Sequence, residues 1–369
     1  MRARSAAFLL WLATATAAQA QVATETVRRF VQTYLPHGVG SIDVKVNASA
    51  SLSGGLYQVV SAKRMNVDKG REAEPLLLVV DAGNRTAFVG MTFPIQANRD
   101  VPAEQLPGIV ENELPKVIKQ LMSAETRVRW PAGLKPVPAV VPLTAEISTG
   151  YGWMRYPMAL TADAKWLVMG AAWPIDRDAR EVRRERLDGA TIQWDPGHEG
   201  AALKVVEFSD YQCPACKRQW GDLEPALTSF GDKLRHGLVN FPLVTNHPWA
   251  FRAAVGGVCV ADIWPDQALT FKSEMYRLQP SLSVETVDDG VFGFLAQRGL
   301  SEATFRTCYL KDPSIDRVLR HLELGQSVGV QATPTYIANG EVLPLGNVEA
   351  ITARLQAILD AGGKSPAGR

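Results

Sequence analysis

Cys213 and Cys216 bracket the tetrapeptide Cys213-Pro214-Ala215-Cys216, and two thiols at that spacing do redox chemistry when a helix begins beneath them. The run before them, Leu203-Lys-Val-Val-Glu-Phe208, is strand-like, and a helix-like run opens near Lys217. Unpaired amides and the positive dipole end of a first helical turn stabilise a thiolate at the first cysteine and lower its pKa, and the second cysteine lies within disulfide reach. Pro214 suits that turn, where its missing N–H costs nothing. The competing chemistry is half of a zinc knuckle. Zinc needs two further ligands, and the remaining two of the chain's four cysteines, Cys259 and Cys308, stand alone. The expectation is a redox pair, with no metal and no cofactor.

The elements around this pair occupy only the second half of the chain. The first half carries an internal repeat: Ala87-Phe-Val-Gly90-Met-Thr-Phe-Pro94-Ile95 aligns with Leu167-Val-Met-Gly170-Ala-Ala-Trp-Pro174-Ile175 at a spacing of 80 residues. Each copy has an apolar strand-like run shortly before it (Pro75 to Val80, Pro157 to Thr161) and an Asp-containing turn between the two. Helical spacing precedes both, through Val27, Phe30, Val31 and Leu35 in Thr24 to Leu35, and through Ile109, Val110, Leu114, Val117, Ile118 and Leu121 in Ala103 to Ala124. Two tandem α+β units are expected, 21–101 and 102–175, with chance similarity between two hairpins as the alternative. Neither unit carries a cysteine, and no chemistry is assigned to them. A charged connector, 176–190, follows; it is read as a solvated linker, helical or flexible. Trp130 to Pro142 and the tail 362–369 are read as ordinary connectors.

Residues 1–20 read as a secretory signal: Arg2 and Arg4 give a basic start, Ala6 to Ala18 is mostly apolar, and Ala18-Gln-Ala20 fits a small-x-small cleavage site. A periplasmic or otherwise exported protein is expected, with no membrane span after cleavage, because no apolar run approaches ~20 residues. Removing the two arginines takes the charge from +1 (39 basic, 38 acidic) to −1 (37 and 38). That balance gives no electrostatic case for a nucleic-acid partner.

From Thr191 the order is strand, C-x-x-C, helix, strand, long helical stretch, strand, hairpin and final helix, the last hairpin marked by Asn339-Gly340. The segment Glu207-Phe-Ser-Asp-Tyr-Gln-Cys213-Pro-Ala-Cys216-Lys217 is similar to the active-site segment of the DsbA-like thiol:disulfide oxidoreductases, and Gly329-Val-Gln-Ala-Thr333-Pro334-Thr335 resembles their cis-proline loop. Ala253 to Ala261 with Cys259, and Phe305-Arg-Thr-Cys308, resemble helical-insert cysteines of a subset of that family. The resemblance covers 191–361 and implies an α/β thioredoxin fold with a helical insertion. It implies that Cys213 is the exposed nucleophile, Cys216 the buried resolving thiol, and Thr333 with a cis Pro334 a β-augmentation contact for an extended client chain. It further implies that Cys259 and Cys308 form a structural disulfide; two buried free thiols remain the alternative.

Ala215 departs from family members that carry His there, which implies a weaker oxidant than the strongest members. Glu207 follows Val205 and Val206 on an apolar strand, which suggests burial, and the resemblance implies a buried carboxyl with a raised pKa relaying protons for Cys216; alternation pointing Glu207 to solvent is the alternative. His247 and His321 show no ligand spacing and are read as surface or satisfied-core residues. Thr333 and the N-terminal repeats also loosely resemble the DsbC/DsbG isomerases. The expectation is therefore an exported thiol:disulfide oxidoreductase exchanging disulfides with cysteine-containing exported clients and an unidentified redox partner. An isomerase or reductase is the alternative within that class, and a client-holding binding protein with little redox activity the alternative outside it. A monomer is favoured, because paired repeats would satisfy each other.

Overall fold

In a computed structural model of the chain, the residues described are 23–36, 42–52, 57–66, 71–72, 76–81, 83, 85–94, 108, 111–112, 115–116, 119, 125–129, 140–161 and 166–363. The leader 1–20 and the last six residues lie outside them, as does all but the end of the connector read at Trp130 to Pro142. The chain divides into two compact units, the first ending at Val182 and the second running from Arg183 and also taking the short stretch that starts at Leu35.

The first unit opens with α1 (Thr24–Tyr34), whose apolar stripe Val27, Phe30, Val31 and Tyr34 is buried. Phe30 and Tyr34 meet the ring of Trp173 at 6.1 and 5.0 Å between centroids. Nine strands follow among the described residues: β1 (Ile42–Leu52), β2 (Tyr57–Asn66), β3 (Arg71–Glu72), β4 (Leu76–Asp81), β5 (Thr86–Pro94), β6 (Thr126–Arg129), β7 (Val140–Ser148), β8 (Trp153–Thr161) and β9 (Trp166–Pro174). The end of the expected connector thus begins β7. Between β5 and β6, Gly108, Glu111, Asn112, Pro115, Lys116 and Lys119 are helical, and Glu125 is not.

Both copies of the repeat contribute antiparallel strands, and the copies share a single sheet. Its order is β1-β2-β4-β5-β9-β8-β7-β6, a palindrome with β5 against β9 at the centre. In that seam Gly90 is directly opposite Gly170, the two glycines that align in the repeat. Both positions demand glycine. A Cβ on Gly90 would fall 1.8 Å from the Met169 carbonyl oxygen, and one on Gly170 would fall 2.2 Å from that of Val89. The core over the seam obeys the same symmetry: Val79, Phe88, Ala159 and Val168 form one buried cluster, in which 79 and 88 are offset from 159 and 168 by the repeat spacing.

The residues read as a linker form α2 (Ala179–Asp188), inside which the chain divides. A solvated face is only partly what it shows. Arg183 is buried, its guanidinium donating to the carbonyls of Val328 at 2.9 Å and Gly340 at 3.4 Å.

The second unit is a five-stranded sheet in the order β10-β12-β11-β13-β14: β10 (Gln193–Trp194), β11 (Leu203–Ser209), β12 (Leu234–Asn240), β13 (Thr335–Ala338) and β14 (Glu341–Val342). β11 and β12 are parallel and joined by α3 (Pro214–Ser229), while β13 runs antiparallel to β11. This is a thioredoxin fold. Between β12 and β13 lies the helical insertion: α4 (Ala250–Ile263), α5 (Ala268–Leu278), α6 (Val287–Gln297), α7 (Glu302–Arg306) and α8 (Asp312–Ser327). Phe271, Met275, Phe294 and Phe305 fill its core, and a Cys259–Cys308 disulfide ties α4 to the turn after α7. Asn339 and Gly340 both take positive φ between β13 and β14, as a two-residue hairpin turn requires. α9 (Val348–Asp360), capped by the Asn347 side chain, closes the unit.

Candidate active site

β11 is buried along almost its whole length and ends at Ser209, so the chain must turn at the sheet's edge before α3 can begin. Cys213 is the N-cap of that helix with extended backbone, and Pro214 occupies its first turn. The Cys213 carbonyl accepts from the amide of Lys217 at 3.2 Å, closing the turn and setting both sulfurs on it. The peptide bond Thr333–Pro334 is cis, and in its protonated form the Cys213 thiol donates to the Thr333 carbonyl at 3.4 Å. Both cysteines are free thiols.

Accessibility differs from the expectation of an exposed nucleophile. Cys213 is 6% exposed and Cys216 wholly buried. The order between them is as the resemblance implies, but Cys213 is covered by the Thr333-Pro334 loop and by Gln279, whose side chain donates to the carbonyls of Tyr211 at 2.8 Å and Cys213 at 3.1 Å.

The two thiols are driven apart electrostatically. Cys213 is lowered from 9.0 to about 5, chiefly by the hydrogen bond from the Cys216 thiol, with the Cys216 and Ala215 amides and the Thr333 side chain adding to it against the opposing effect of burial. Cys216 moves far upward, through burial first and then through that same bond and the neighbouring thiolate. One helical turn thus carries a thiolate and a thiol that share a proton.

Beneath them, Glu207 is fully buried, opposite Tyr336 of β13. Its ionisation reverses the expectation. Burial alone would raise the carboxyl, but the Lys272 ammonium at 2.5 Å and the His236 imidazole at 3.0 Å outweigh it and hold Glu207 at about 2. Lys272, itself wholly buried on α5 and 3.3 Å from the Trp220 ring centroid, is lowered by burial despite Glu207. The far side of His236 looks to Asp195, with Nδ1 and Oδ2 3.5 Å apart. Both residues line a cleft of about 410 Å³, so the buried carboxylate is one imidazole removed from solvent.

Sequence reading missed Lys272, His236 and Asp195. A signal for Lys272 was present: it lies four residues before Tyr276 and next to Phe271 on a helix whose buried residues are Phe271, Lys272, Met275 and Tyr276. His321 is a satisfied core residue, bonded to the Asn240 amide at 3.2 Å and the Thr191 carbonyl at 3.0 Å. His247 is neither surface nor core: it pairs with Asp210 at 2.6 Å, three residues before Cys213.

The profile of the family described as Thioredoxin matches residues 193–361. Disulfide bond formation protein D of Bacillus subtilis (strain 168) is 28% identical over 152 residues, 40% of this chain and 68% of that protein. The Na(+)/H(+) antiporter NhaA of Herminiimonas arsenicoxydans is 27% identical over 220 residues, 58% of this chain; the chain spans only 31% of that antiporter's length. No helix among the described residues is long and apolar enough to cross a membrane. The crystal structure of oxidised BdbD from Bacillus subtilis aligns with a TM-score of 0.40 at 26% identity, over 44% of this chain and 91% of that one.

Proposed function

Since residues 193–361 belong to the DsbA-like thiol:disulfide oxidoreductases of the thioredoxin superfamily, we propose that this chain is an exported disulfide donor working through Cys213 and Cys216. Cys213 is the nucleophile and Cys216 the resolving thiol. The observation that carries this reading is the place of Cys213 at the N-cap of α3, its sulfur 3.4 Å from the Thr333 carbonyl at the cis Thr333–Pro334 bond, with the opposite displacement of the two thiols in support. A thiol at about 5 rather than 9 favours the reduced state near pH 7 by about 3 kcal/mol, or roughly 60 mV toward the oxidising end. An exported protein rich in cysteine then gives up two electrons to the Cys213–Cys216 disulfide and leaves oxidised. Its extended backbone lies along Thr333 beside Pro334, and Glu207 serves proton transfer at Cys216 as an ion-paired carboxylate rather than as a neutral acid.

The test is alkylation of the reduced protein across pH together with its reduction potential against glutathione. Cys213 should be modified much faster than Cys216, with a rate midpoint well below that of an ordinary thiol, and the potential should lie nearer the strong oxidants than the reductants. Equal labelling of both cysteines overturns the assignment. A low potential turns the reading toward a reductase or isomerase.

A further inference from the structure

The loop between β12 and α4 is fastened to the turn that carries Cys213, and Asp210 is the fastening. Its buried carboxylate accepts from the Gln212 amide at 2.7 Å through Oδ1, and from the Leu243 amide at 2.8 Å through Oδ2. Oδ2 also holds His247 Nδ1 at 2.6 Å. The Asp210 carbonyl accepts from the Cys213 amide at 3.1 Å, and the Gln212 side chain accepts from the Trp249 amide at 2.9 Å. Loop and turn therefore move as one piece, with an imidazole set beside the nucleophile's turn while still 17% exposed.

We propose that His247, protonated and oriented by Asp210, supplies the positive charge that stabilises the Cys213 thiolate, a task for which Ala215 between the two cysteines has no side chain. The inference rests on Cys213 being the nucleophile. Among the described residues the titratable groups acting on His247 are Asp210, whose hydrogen bond and charge raise it against burial, and then Cys213, whose charge raises it further. The redox balance is simple. A client dithiol gives two electrons and breaks the Cys213–Cys216 bond; the client leaves as a disulfide, one of its protons goes to Cys216, Cys213 remains thiolate, and the second proton goes to water or to a neutral His247.

Coupling between two sites is reciprocal. Whatever factor protonated His247 adds to thiolate formation at Cys213, the thiolate must add to protonation of His247. The oxidised protein has no thiolate, so His247 titrates higher in the reduced form than in the oxidised form. NMR titration of the His247 ring in both redox states measures this on the unmodified chain. Thiolate absorbance then gives Cys213 in H247Q, where its acid dissociation constant should fall roughly tenfold, the lower end expected for losing a nearby opposite charge. The two factors should agree. An unchanged His247 titration between redox states, or an unchanged Cys213 in H247Q, overturns the proposal while leaving Cys213 as nucleophile. If Cys213 titrates as an ordinary thiol in the unmodified protein, the nucleophile assignment falls first.

Discussion

Replacing Lys272 with Met tests the charge arrangement under the active site, because Met keeps the length of the buried side chain and removes only its charge. In the native chain Glu207 is held at about 2 instead of 4.5, which at ~1.4 kcal/mol per pH unit corresponds to about 3 kcal/mol near neutrality for the carboxylate by itself, offset in part by the burial that lowers Lys272. Because the folded value is depressed, that contribution is complete above pH 4.5 and is lost as pH falls toward about 2. K272M strands a buried carboxylate whose remaining partner is His236 at 3.0 Å, and breaking a buried pair in this way costs roughly 3–5 kcal/mol. Burial then dominates and Glu207 rises above its ordinary value. The sign of the pH dependence inverts: the variant's Glu207 contributes best below about pH 4.5 and loses stability as pH rises through the raised value. Urea unfolding of both proteins near pH 4 and pH 7 measures the difference, which should be several kcal/mol at the higher pH and much smaller at the lower. Adding E207L to K272M should recover most of the loss, since replacing both members of a buried pair with apolar groups is often close to neutral. Equal stability of K272M and the native chain at both pH values would refute the argument that Lys272 holds Glu207 ionised.

Replacing Cys259 and Cys308 by Ser should lower stability by up to ~4 kcal/mol, the chain-entropy estimate for a loop of this separation, while leaving alkylation of Cys213 unchanged; a changed Cys213 rate would show that the disulfide takes part in exchange. G90V places a side chain against the Met169 carbonyl and should open the β5–β9 seam, read as faster amide hydrogen exchange in those strands with β11 and β12 unaffected. Protection equal to the native chain would mean that the seam tolerates separation. Sedimentation at micromolar concentration should find a monomer, because the repeats already pair within one chain; a stable dimer would reject that and favour the isomerase alternative.

The sequence disclosed what local pattern can encode. C-x-x-C before a helical run located the redox turn, Val205, Val206 and Phe208 foretold the burial of Glu207, and Asn339-Gly340 announced the last hairpin. Ionisation was out of reach, because the partners that set it arrive from 29 and 65 residues away, and no periodicity connects β11 to α5. His247 was misjudged for the same reason: its meaning lies in a hydrogen bond across 37 residues. The repeat was visible as alignment, whereas the pairing of its two copies was not, since an edge strand's partner leaves no mark on its own alternation. Gly90 and Gly170 were noticed as matching letters, and only the seam explains why both must lack a side chain.

That seam has a bearing on when and where the first unit can exist. A two-fold sheet assembled from separate chains would come apart on dilution, as any bimolecular complex does. Here the two halves are tethered, so they meet at an effective concentration on the order of millimolar whatever the protein concentration. The arrangement also frees each half from strict identity: Phe88 on β5 corresponds to Val168 on β9, a difference that two copies of one chain could never maintain across a true axis. Tethering also imposes an order of events, because β5 has no edge to join until β9 has been made about eighty residues later, and closure of so long a loop favours late assembly of the centre over its flanks.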